Sequence, residues 1–192
     1  MKKPILMSFL AATLAISSAK AETLPAPIIG IVEQTTLDNS AAFKSILNQV
    51  EKKRAEIQKE MTTIENKLKA QDKQLTEDQK KLSETEFATK RADFEKQVHD
   101  AQEKIEIRRA QIELAVDEAK KKVYEAFLKV AEEVRKEAGA NIIIYQETVV
   151  TADKTLKLTD KVKERLDKVL PTVPVVYPSE AEVKKQLMQQ TQ

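Results

Sequence analysis

Between residues 31 and 170 the chain contains no proline and a single glycine, Gly139. These two residue types are the strongest breakers of regular structure, so a stretch this long without them restricts the chain to long helices with few turns. Within it, Phe43, Leu47, Val50, Ile57, Met61, Ile64, Leu68, Leu75 and Leu82 keep an alternating four-three spacing, with Arg54, Gln71 and Asp78 at the missing steps. That is a heptad seam. A second seam runs through Phe87, Phe94, Val98, Ala101, Ile105, Ile112, Val116, Ala119, Val123, Phe127, Val130 and Val134, and its four-four steps are stutters that loosen any supercoil. Met61 with Ile105, Ile64 with Ala101 and Leu68 with Val98 have residue numbers that add to 165 or 166, the mark of one antiparallel hairpin folded near residue 83. Ser83 and Glu86 form an S-x-x-E capping box there, so the turn needs no glycine.

The flanks differ in kind. Ile28-Ile29-Gly30-Ile31-Val32 and Asn141-Ile142-Ile143-Ile144-Tyr145 are short apolar runs of strand type, with Gly139 as a helix C-terminal cap before the second. Residues 148–151 suggest a return strand, and Thr159-Asp160 opens a short helix with Val162, Leu166 and Val169 on its face. Residues 171–178 hold three of the six prolines and predict an extended segment, with at most a marginal helix over 179–188. The fold class is therefore mainly α with a small β body, from which a long helical hairpin arm projects. The expected divisions are a signal peptide at 1–21, a discontinuous α/β oligomerisation body at 22–38 plus 124–170, an arm at 39–123 and a proline-rich tail at 171–192. A body with so few apolar residues needs oligomerisation to complete its core.

Lys2 and Lys3 precede an apolar run over residues 5–16, and Ala19-Lys20-Ala21 offers the small residues a signal peptidase requires. Export through a secretory signal, with cleavage near Ala21, is the expectation. Lys2, Lys3 and Lys20 leave with the signal, so 30 basic residues face 31 acidic ones and the formal charge of +2 becomes −1. Charges so balanced and interspersed do not point to nucleic acid. The chain has no cysteine, which removes disulfides, thiolate chemistry and lipid-modified cysteine. There is no P-loop, no metal-ligand spacing and no nucleophile elbow, and the single histidine, His99, stands on the arm apart from any glycine-rich turn. The reading is of a non-enzyme without cofactor.

In order of parts the chain resembles the Skp (OmpH-like) family of periplasmic chaperones. Residues 27–32 are similar to its first strand, the hairpin to its tentacle, and Gly139-Ala140-Asn141-Ile142-Ile143-Ile144-Tyr145 with Leu156-Lys157-Leu158-Thr159-Asp160 to its closing strands and final helix. The resemblance implies a homotrimer whose arms enclose a cavity for unfolded outer-membrane proteins, with Ile29, Ile31, Ile142 and Ile144 in the oligomer interface. Two stretches depart from the pattern. Residues 70–96, around the tip, carry six basic against seven acidic side chains, where the family is basic, which leaves contact with membrane or lipopolysaccharide open. The tail after Leu170 lies beyond the match.

A second stripe, Ile107, Ala110 and Leu114, then Tyr124 and Leu128, lies about 200° around the second helix from its seam. Tyr124 and Leu128 are expected to serve the oligomer and Ile107 and Leu114 to face clients. The leading function is an ATP-independent holdase for unfolded outer-membrane proteins. The alternative is a structural coiled-coil spacer or assembly adaptor in the envelope, which the heptads alone support equally well.

Overall fold

The computed structural model describes residues 24–190. The signal peptide expected at 1–21 lies outside them. The hairpin forms as α1 (Ala41–Asp78) and α2 (Glu84–Glu137), the latter 54 residues and hence roughly 80 Å long. Ser40 starts α1 by accepting from the Phe43 N–H. At the tip, Ser83 Oγ accepts from the Glu86 N–H at 3.4 Å while Glu86 Oε2 accepts from the Ser83 N–H at 3.1 Å, so the second helix carries its own start signal. Polar links between the helices fix the register. Glu60 receives Arg108, Gln71 donates to Gln97 and Asp78 receives Lys90, each within a turn of the pairing read from the seams.

The two ends of the hairpin return to one small sheet. Strands β1 (Ile29–Val32) and β2 (Ile142–Tyr145) pair in parallel, Ile29 opposite Ile142 and Val32 opposite Tyr145. Parallel neighbours require a crossover, and here the whole arm is that crossover. The return strand expected at 148–151 does not form. Residues 146–148 make a single 3-10 turn, and β1 finds its other neighbour at Lys157, with the Leu158 N–H donating to the Ile31 carbonyl at 2.8 Å. That approach is close enough to demand Gly30, where a Cβ would lie 2.5 Å from Leu158 Cδ1. Gly139, at φ 68°, ends α2 in a Schellman motif: its N–H reaches the Lys136 carbonyl and the Ala140 N–H reaches Arg135.

Helix α3 (Thr159–Val169) closes the body, burying Val162 and Leu166 against Val32, Phe127, Val130 and Val134; Val169 points outward. A second core lies at the base of the arm, where Ala42, Ile46 and Val50 meet Ala115, Ala119 and Val123. The tail completes this core with Val173 and Val175, then continues as α4 (Glu180–Gln190) along α2. The third wall explains a correction to the first seam. Leu47 is 53 % exposed and its neighbour Ile46 is buried, because α1 turns its apolar side at the base toward both α2 and the tail. Farther out the arm is open. Between Val50 and Asp78 no residue of α1 is fully buried, and α2 has none from Glu84 up to Ile107.

Candidate binding surfaces

Because the outer arm has only two helices, its seam residues are covered on one side alone. Met61, Ile64 and Leu68 on α1 and Phe94, Val98, Ala101 and Ile105 on α2 line an open groove of about 430 Å³ with mostly apolar walls. A third helix would bury such side chains; two leave them half-exposed. The polar seam positions contribute to the looseness. Gln71 Oε1 lies buried without a donor, although its Nε2 reaches Gln97.

Below this groove a polar node ties α1, α2 and the tail together. Arg108 grips Glu60 through two bonds of 2.9 Å, reaches Gln111 Oε1 with Nη1 and pairs with Glu180 at 3.0 Å. Lys104 adds a second cation on Glu60 at 2.6 Å. Hydrogen bonds from Arg108 and Lys104 hold the Glu60 carboxyl at about 2, well below the usual carboxylate range. Gln111 Nε2 donates to the Pro178 carbonyl at 2.6 Å, and Lys184 meets Glu103 at 2.9 Å.

This arrangement overturns the expectation for Ile107. It lies between Glu103 and Gln111, two of the positions to which the tail is tied, and is only 3 % exposed. It is thus unavailable to a client in this state. Leu114 remains half-buried.

In the body, Tyr124 and Leu128 are 46 % and 48 % exposed. With Phe127, Ala131, Ile143, Ile144 and Tyr145 they line a cleft of about 280 Å³ beside the sheet. Tyr124 stacks on Phe127 at 6.3 Å between ring centroids. Ile142 is exposed next to it and Ile29 is half-buried. Ile31 does not belong to that surface: Ile144 and Lys157 flank it on either side, and it is 2 % exposed. Partial burial raises the Tyr145 hydroxyl above the ordinary tyrosine range.

His99, Asp100 and Glu103 lie together on the arm, but Asp100 is already held by Lys96 at 2.7 Å and Glu103 by Lys184. Two surface carboxylates already paired with lysines, beside one exposed imidazole, make a poor cation cage. Among the described residues no helix is long and apolar enough to cross a membrane.

The family model described as "Outer membrane protein (OmpH-like)" matches residues 29–166, from the first strand to the last turns of α3. The chain belongs to the OmpH-like family. Its fold agrees: an OmpH-like protein of Caulobacter crescentus, proposed as an outer membrane chaperone, superposes with a TM-score of 0.75 at 17 % identity, over 82 % of this chain and 94 % of that one. No curated protein shows a significant match. The family model's match ends before the tail that straps along the arm.

Proposed function

We propose that this OmpH-like protein is an ATP-independent periplasmic holdase that keeps unfolded outer-membrane proteins from aggregating, and that it works as a homotrimer. The observation that carries the reading is the open arm. A rod built as a spacer gains from burying its seam, whereas this arm leaves Phe94, Ile105, Met61 and Leu68 lining a groove along its outer half. Side chains so placed offer many weak apolar contacts, each worth at most roughly 1.5 to 3 kcal/mol when fully buried. Contacts of that kind tolerate any client sequence. Exposed Tyr124 and Leu128, in the cleft that Ile144 also lines, together with exposed Ile142 on the same strand as Ile144 and its half-buried pair Ile29, support self-association of the body. Leu114 is the stripe residue that remains a candidate client contact.

A urea-unfolded outer-membrane barrel diluted into the mature protein should stay in solution by light scattering, with and without ATP. Aggregation at the rate of the barrel alone, tested with several barrels at low salt, would leave the structural spacer as the better account.

A further inference from the structure

Residues 172–178 run along the base of the arm, held by two alternate apolar side chains, by backbone hydrogen bonds and by one aromatic ring. Two alternate residues, Val173 and Val175, sink between α1 and α2 onto Ile46, Val50, Ala115 and Ala119. The alternate positions, Pro174 and Val176, are exposed. Gln49 reads the backbone. Its Nε2 donates to the Val173 carbonyl at 2.8 Å and its Oε1 accepts from the Val175 N–H at 3.0 Å, the paired exchange that a neighbouring strand would make. Tyr177 ends the segment beneath the Lys53 ammonium, 5.4 Å from its ring centroid, with its hydroxyl donating to the Gln49 carbonyl at 3.4 Å.

A furrow that takes alternate small apolar side chains and the backbone groups of those two residues will accept other segments of the same form. Extended chain, apolar at every second residue and aromatic at its end, is the pattern of a membrane barrel strand. Beyond residue 177 the strap is fastened by the Gln111 bond to the Pro178 carbonyl, by buried Val183 and by two ion pairs, Arg108 with Glu180 and Lys184 with Glu103, of which the more exposed second contributes little. We propose that this furrow is a binding site for extended, alternately apolar polypeptide, and that residues 172–178 are its tethered occupant, displaced when a client segment competes. The identity of the ligand as a client rests on the holdase reading; the exchange itself does not. A tethered occupant acts at an effective concentration on the order of millimolar, so the furrow stays closed to dilute peptide and opens to client held nearby by the arms.

The test uses the full mature oligomer and a fluorescent peptide of residues 172–179, read by anisotropy. Wild type should bind it weakly. A Val173→Asp/Val175→Asp chain, whose own strap no longer seats, should bind it at least about tenfold more tightly, and adding Gln49→Ala should reverse that gain. A peptide with aspartates at the two valine positions should not bind. Since the aspartates could unsettle the fold, a second handle acts without them: Glu103→Cys/Lys184→Cys joined by a reducible crosslinker pins the strap, abolishes peptide binding, and regains it on reduction. Equal peptide binding by the opened, pinned and wild-type chains, with unchanged circular dichroism, would overturn the proposal and make the strap a fixed brace. Barrel aggregation measured on the same samples separates the two readings. Peptide exchange without suppression keeps the furrow and removes the holdase; suppression indifferent to the strap does the reverse.

Discussion

Arg108 shows how one side chain can belong to three elements. As a polar step in an apolar seam it looks like a defect, yet its planar fork matches the Glu60 carboxylate and still leaves Nη1 for Gln111 and Glu180. A carboxyl held below its unfolded value contributes stability that is complete above that value and fades as pH falls through the folded one. For Glu60 the window runs from about 4.5 down to about 2. Glu60→Gln should therefore lower the unfolding free energy measured by urea titration at pH 7 by roughly 1 kcal/mol, for a pair only partly withdrawn from water, and the gap to wild type should close near pH 2. A gap constant across pH would assign the effect to shape and not to charge. At the tip, Asp78 pairs with Lys90 at 2.6 Å and accepts from Gln74, and does not pair with Arg91, one residue further on. Arg91 turns along its own helix to Glu95. The two basic residues are adjacent in sequence, and the rotation of the first turn after Ser83 chooses between them.

Among the elements, the hairpin is the most legible, because a heptad seam is a long-range statement written locally: each helix announces its face, and the capping box at Ser83 announces the fold point. The register has a direct check. Met61→Cys with Ile105→Cys should close a disulfide within one chain on mild oxidation, since both line the same stretch of groove, whereas Met61→Cys with Val98→Cys, displaced by two turns on α2, should close poorly. Reversed yields would disprove the register. The strap was legible only as extended chain. Its valines alternate between prolines, a pattern that gives conformation but names no partner. The partner did leave a trace in the four-residue spacings Ala42, Ile46, Val50 and Ile107, Gln111, Ala115, Ala119, a second buried stripe beside each seam. Ile107 lies in that stripe, which is why exposure could not be inferred from its distance to the main seam. The missing return strand has a similar cause: β propensity over 148–151 yields to a closer neighbour for β1, Lys157, which Gly30 allows to approach.

At the scale of the molecule, a body with one small sheet carries the arm, and α2, roughly 80 Å long, runs through both. The apolar surface it leaves at Tyr124, Leu128 and Ile142 is the account's basis for assembly. Tyr124→Ser with Leu128→Ser should accordingly lower the mass seen by light scattering toward that of one chain while helical content persists. Retention of the full oligomer would move the interface elsewhere. The central claim, a client held between the arms of one assembly, is tested most directly by native mass measurement of the mature protein mixed with a urea-unfolded outer-membrane barrel. The predicted result is a complex of one three-chain oligomer with one barrel, at the same abundance with or without ATP. An intact oligomer that leaves the barrel unbound across several barrels would contradict it.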